Sequence, residues 1–223
     1  MNDMNEMKMK KQKGCDCLGN YVITIARGYG SGGRTIGKML AKELGISYYD
    51  RELMRLASDE SGINESLFAK ADEKLKSSLL FKVAKNIYKG EIIGPDSDEF
   101  VSNDNLFNYQ AKVLKELAEK ESYVVIGRCA DFILKDFDNV IRVFVHAPMD
   151  NCIDKIATMS AMTRKEAEQL ITRTDKHRAD YYHHYTGHTW NNATNYDLCL
   201  NTEELSFKKC VEIVKEYKKI KFE

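Results

Sequence analysis

Along the chain, short continuous apolar runs alternate with longer stretches in which apolar positions return every three or four residues. YVITIA (21–26) is unbroken and β-branched, the pattern of a strand buried on both faces. From Gly33 the period changes. Ile36, Leu40 and Leu44 fall on one helical face, and Gly45 suits a left-handed helix end. ISYYD (46–50) reads as a second strand ending at Asp50, and RELMRLASDESG as a helix. Asn64 is placed to cap a further helix through ESLFAKADEKLKSSLLFKVAKNIYKG, and residues 90–103, with their Gly-Pro-Asp turn signal, read as a loop. NLFNYQAKVLKELAEKE is helical again, with Leu106, Val113 and Leu117 in phase. YVVIG (123–127), VIRVFVHAP (140–148) and DLCLN (197–201) supply the third, fourth and fifth strands. Thr163 and Glu166 form a capping box that opens the charged helix TRKEAEQLITRTDKHRADYYHHY, and Ser206 caps FKKCVEIVKEYKKIK. Strands alternating with helices predict an α/β domain, a parallel five-stranded sheet covered on both faces.

Composition narrows the function classes. A chain of 223 residues suits one such domain, and 43% hydrophobic residues can support its core. Thirty-four basic and 34 acidic residues, net +0, argue against a nucleic-acid partner but leave room for a local basic pocket. No run approaches the ~20 apolar residues of a membrane span, so no membrane partner is expected. The first 20 residues, MNDMNEMKMKKQKGCDCLGN, carry lysines without an apolar stretch, and read as a flexible tail ahead of a domain over 21–223. Six cysteines lie at positions 15, 17, 129, 152, 199 and 210. Only Cys15 and Cys17 are close, with no second pair to complete a zinc site, so they read as reduced thiols of a cytoplasmic protein. His183, His184 and His188 lack the spacing of a metal-binding helix.

The candidate chemistry sits where the first strand gives way to the first helix, in RGYGSGGRT. Gly28 and Gly33 have the spacing of a phosphate-binding loop, Gly-x-x-x-x-Gly-Lys-Ser/Thr, with Arg34 in the place of the lysine. Glycines let successive backbone N–H groups face one concavity, and the helix N-terminus behind them adds partial positive charge. The candidate phosphate contacts are Gly28, Gly30, Ser31, Gly32, Gly33, Arg34 and Thr35, with the Thr35 hydroxyl as a Mg²⁺ ligand. Arg34 keeps the lysine's charge and changes its shape, from a compact ammonium to a planar fork. Two other readings use the same glycines. One is a strand–turn–helix joint packed closely. The other is a dinucleotide-binding turn, for which Asp50 is the one ribose-binding candidate.

Four stretches together, ITIARGYGSGGRTIGKMLAKELGISYYDRELM, VVIGRCADFIL, RTDKHRADYYHHYTGHTW and NYDLCLNTEELS, resemble the cytidylate kinase-like proteins, a branch of the P-loop nucleoside monophosphate kinases. The resemblance implies a three-layer P-loop NTPase fold with a five-stranded parallel sheet, a helical acceptor-binding insert over 51–122 and a lid over 163–188. It implies ATP and Mg²⁺ as cofactors and nucleotide substrates, CMP or dCMP foremost. Such an acceptor attacks through a phosphate oxygen already largely ionised near neutral pH, so the protein must supply alignment and charge rather than a strong base. By the same resemblance Arg128, after Gly127, clamps the acceptor phosphate at the carboxyl edge of the sheet, and Asp131 contacts the acceptor sugar. Arg173 and Arg178, with Asp175 and Lys176 between them, reach the phosphates from the lid. Asp50 stands near the acceptor and the metal, and Arg55 faces the acceptor phosphate. Arg34, Arg128, Arg173 and Arg178 are then the catalytic set. A charged helix is also commonly just a solvated one. Tyr48, Tyr49, Phe107, Tyr181, Tyr182 and Trp190 are assigned to packing rather than to stacking a base. Arg34 leaves open a nucleotide-binding regulator with little or no transfer, and the loop also serves kinases of other small acceptors.

Overall fold

The computed structural model describes residues 19–50, 52–67, 91–92 and 101–223. Within them β1 (Val22–Arg27), β2 (Ser47–Tyr49), β3 (Tyr123–Ile126), β4 (Val140–His146) and β5 (Leu198–Asn201) form one sheet in the order β2-β3-β1-β4-β5. Every pairing is parallel, with Ile25 opposite Ile126 on one side and Val143 on the other. β1 is central because its side chains are apolar on both faces. Ile23 and Ile25 enter one core, and Val22 enters the other. This is the expected α/β architecture, with the strands within one or two residues of the positions read from the sequence.

One face is covered by α1 (Gly33–Leu44) and α7 (Phe207–Phe222), whose Ile36, Leu40, Val211 and Val214 pack on Ile23, Ile25 and Val143. The other carries α2 (Glu52–Ser61), α3 (Asn103–Lys120), the short α4 (Ala130–Ile133) and the second half of α6 (Arg164–Thr186). α5 (Met149–Ser160) and the first half of α6 make a smaller cluster of Cys152, Ile153, Ile156, Ala167 and Ile171, against which Tyr29 packs. That contact brings the pair over the carboxyl edge of the sheet, next to the glycine-rich segment.

Local chemistry explains most of the ends. Ser102 accepts the Asn105 N–H at the start of α3, and Ser206 accepts the Lys209 N–H at the start of α7. Both arms of the Thr163–Glu166 box are made. Asn64 accepts the Ser66 N–H at 2.9 Å, as a cap would, but most of the helix it was expected to open lies outside the described residues. So do Cys15 and Cys17 of the tail, and most of the 90–103 loop. α5 and α4 were not anticipated. α5 follows β4 directly behind Pro148, and its buried side is only Cys152, Ile153 and Ile156, too short a stripe to declare a period. No helix among the described residues is long and apolar enough to cross a membrane.

α6 is seated on the second core by aromatic side chains. Phe107 of α3 stacks on Tyr185 with centroids 3.9 Å apart and planes 2° from parallel, and the Tyr185 hydroxyl donates to the Asn103 carbonyl at 3.2 Å. Phe107→Ala is expected to cost about 3–5 kcal/mol, the range for emptying a buried aromatic site. Urea unfolding of the variant and the wild type checks this.

Candidate active site

β1 ends at Arg27, and the Gly28 N–H makes one more bond to the sheet, to the Val145 carbonyl at 3.0 Å. The chain then turns out of the sheet. Gly30 and Gly32 stand at φ 84° and 86°, left-handed positions that strain any residue with a Cβ. The loop is also crowded. A Cβ on Gly33 would come 2.6 Å from the Cβ of Arg27, and one on Gly32 would enter the Phe207 ring. No side chain caps α1, so its leading N–H groups are left for another acceptor, and Arg34 and Thr35 on its first turn are exposed. Ser31 departs from its expected role. It is fully buried, its hydroxyl donates to the Gly28 carbonyl at 2.8 Å, and its carbonyl accepts the Thr202 hydroxyl at 2.8 Å. Its side chain braces the loop from within.

Arginines from four segments meet beside this loop. Arg34 Nε lies 2.7 Å from Asp50 Oδ2 at the end of β2. Arg178, from the middle of α6, donates through Nη1 to Asp175 Oδ1 at 2.9 Å and to the Arg27 carbonyl at 3.0 Å. Its guanidinium covers the Tyr29 ring at 5.4 Å. Asp175 in turn accepts the Tyr29 N–H on both oxygens, at 2.8 and 3.0 Å, which ties α6 to the loop. Burial pushes the Asp175 carboxyl up, against the pull of Arg178. Burial also pushes the Arg178 guanidinium down, opposed by Asp175.

The fourth arginine, Arg27, was not singled out from the sequence. Burial, and then the charge of Arg178, bring its guanidinium down to about 9, with Arg128 and Arg34 pushing the same way and Asp50 alone resisting. The available signal was a charged residue closing a buried strand immediately before the first loop glycine.

Arg128 reaches the cluster from an unusual turn. Gly127, Arg128 and Cys129 have φ of 68°, 63° and 53°, three left-handed residues in succession. For the two with a Cβ this costs about 1–2 kcal/mol each. The turn is held by the Gly127 N–H to Ile25 bond at 2.9 Å and by the Cys129 carbonyl, which accepts the Ile133 N–H at 2.8 Å. Gly127 has to be glycine for a second reason, since a Cβ there would collide with the Arg27 guanidinium.

The remaining candidates lie apart from the cluster. Arg173 is exposed on α6. Arg55 is exposed and pairs with Asp59 at 3.2 Å, one turn along α2. Asp131 is 5% exposed, and its carboxylate accepts the Tyr182 hydroxyl at 2.6 Å, so it faces the core rather than an open site. Thr35 and Asp50 offer a hydroxyl and a carboxylate, donors of the kind a Mg²⁺ ion takes alongside phosphate oxygens.

The model of the cytidylate kinase-like family matches residues 22–204. Among curated proteins, the cytidylate kinase of Pyrococcus horikoshii is 24% identical over 195 residues, 87% of this chain and 86% of its own. That of Methanopyrus kandleri is 23% identical over 205 residues, 88% of this chain and 92% of its own. Among solved structures, an uncharacterized protein from Eubacterium ventriosum superposes with a TM-score of 0.66 at 24% identity, over 90% of this chain and 99% of that one. The last likeness bears on the fold alone.

Asp131 gives a pH test of this packing. Burial raises its carboxyl from 3.8 to about 6, the Tyr182 hydrogen bond and Arg142 opposing. Between those values the folded chain keeps a proton that the unfolded chain releases, so stability falls as pH rises through that window. Asp131→Asn removes the proton and keeps an acceptor for Tyr182. Its stability relative to wild type should therefore rise from pH 4 to pH 6, by on the order of 2 kcal/mol. Urea unfolding across pH 4–7 reads the difference.

Proposed function

The chain belongs to the cytidylate kinase-like family, and on that premise we propose that it transfers the terminal phosphoryl group of ATP to a nucleoside monophosphate, CMP or dCMP foremost. The observation that carries this reading is the meeting of an uncapped helix N-terminus with guanidiniums from β1, α1, the Gly127–Cys129 turn and α6 at one edge of the sheet. Two phosphate-bearing substrates need such convergence, and a glycine joint made only for packing does not.

The donor phosphates take the N–H groups of the glycine loop and of α1, with Arg34 beside them. Asp50 pairs with Arg34 at 2.7 Å, and the donor phosphates compete with it for that guanidinium. Arg128 and Arg178 take the acceptor phosphate and bring its oxygen into line with the donor. Thr35 and Asp50 are the residues that would hold Mg²⁺, which when bound neutralises charge on the donor phosphates. The segment 163–188 serves as a lid, closed on the loop through Asp175, and 51–122 as the acceptor-binding insert. Arg173 reaches the phosphates only if α6 shifts. Arg55 and Asp131 take part only through a rearrangement of α2 or of the Tyr182 contact. The four described cysteines are free thiols, which supports a cytoplasmic place for the chain.

The test is turnover of a panel of nucleoside monophosphates with ATP and Mg²⁺, followed as diphosphate formed. Selective conversion of CMP or dCMP is expected. Arg34→Ala and Arg178→Ala should each lower kcat/KM by about 100- to 1,000-fold, as removal of one charge-stabilising donor does elsewhere. A chain that binds ATP and converts none of the panel is a nucleotide-binding regulator or a kinase of another acceptor, and this assignment then fails.

A further inference from the structure

Arg27 stands apart from the other three arginines in its pairing. Arg34 has Asp50, Arg178 has Asp175 and the Arg27 carbonyl, and Arg128 is also partnered. The Arg27 guanidinium makes no ion pair or hydrogen bond with a described residue. Its side chain leaves β1 under Gly33, where even a methyl group would clash with its Cβ, and ends against Gly127. Two glycines thus clear a channel for it, one at the start of α1 and one at the turn that carries Arg128. Its charged end lies between the donor loop and the turn assigned to the acceptor. Of the four charges that act on it most, three are arginines.

A guanidinium carries five N–H donors in a fixed fork. Holding it partly buried among like charges, with no described residue paired to it, costs stability. A structural residue would be expected to find a carboxylate or a carbonyl. A residue kept in this state points to an acceptor that arrives from outside, and a phosphate group, with several charged oxygens, suits a planar fork beside an uncapped helix and three more arginines.

We infer that Arg27 is a phosphate-binding residue of this site, gripping the phosphoryl group at the junction between donor and acceptor. The inference rests on the proposed phosphoryl transfer and adds a residue to it. It also answers the substitution in the loop. With Arg34 drawn toward Asp50, Arg27 supplies the fixed positive charge that the missing lysine would have brought, from beneath the loop rather than from its helix.

The experiment uses the full chain, its Arg27→Met and Arg27→Lys variants, and inorganic pyrophosphate as probe. Thermal unfolding is followed by circular dichroism with and without pyrophosphate, at ionic strength matched with sodium chloride. Without pyrophosphate, Arg27→Met should melt higher than wild type, because a partly buried charge crowded by three arginines is gone. With pyrophosphate, the wild type should gain stability, Arg27→Lys should gain part of it, and Arg27→Met should gain little. In the turnover assay Arg27→Met should lose at least 100-fold in kcat. An Arg27→Met chain that melts lower than wild type, or fails to fold, makes the residue structural and overturns the inference. Equal stabilisation of wild type and Arg27→Met overturns it while leaving the phosphate site standing. A wild type that pyrophosphate does not stabilise overturns both.

Discussion

Two unit charges about 4 Å apart interact by ~4 kcal/mol at the effective dielectric of a protein surface, and the carboxyl edge of β1 and β3 gathers four arginines against that cost. Much of the surrounding structure can be read as the means of holding them there. Asp50 and Asp175 each screen one neighbour, and the carbonyl of Arg27 takes a hydrogen bond from Arg178. The peptide of Tyr29 fixes Asp175 itself. Arg27 and Asp50 stand at strand ends and Asp175 and Arg178 on a long helix, with Tyr29 in the loop between, so the repulsion is borne by the sheet and by helix packing rather than by the loop alone.

The same constraint explains features remote from the charges. α6 must cross the loop at a fixed height for Arg178 to meet Arg27. Its far half is therefore seated on α3 by the stack of Phe107 and Tyr185 and by Tyr182, whose hydroxyl is held by buried Asp131. Its near half rests on α5, and Cys152 of α5 lies so close to Gly30 that a Cβ there would approach within 2.9 Å. The left-handed turn at Gly127–Cys129 stores strain at a strand end that faces Arg27. Strain and crowded like charge side by side are the local rule-breaking that a binding site tolerates and a packing joint does not.

Much of this was legible in the residues. Apolar runs rich in β-branched residues marked β1, β3 and β4, the inner strands, because a strand buried on both faces shows no regular polar alternation, while the edge strands β2 and β5 were read from shorter stretches without such runs. The Thr163–Glu166 box and Ser206 marked helix starts through the same hydrogen bonds now seen, whereas the Ser102 cap lay inside a segment read as loop. The glycine loop was recognisable because its spacing answers a backbone need. Arg27, α4 and α5 were not. α5 has too narrow a buried stripe to show a period, and Arg27 looks in one dimension like a polar residue closing a strand. Its meaning depends on Arg128 and Arg178, about 100 and 150 residues further along, meeting it in space. Ser31 and Asp131 misled for the opposite reason. Each stands at a motif position, but the fold turns each side chain inward to Gly28 and to Tyr182.

The central claim is that one arginine cluster holds a donor and an acceptor phosphate at the same time. A single molecule carrying both ends, adenosine and cytidine joined through five phosphates, tests it by calorimetric titration against ATP and CMP taken separately. If the cluster bridges the two substrates, the joined molecule binds at one per chain, orders of magnitude more tightly than either nucleotide, and prevents both from binding. Affinity no better than that of ATP, with CMP still able to bind beside it, would mean that the arginines serve one nucleotide and that no transfer takes place between them.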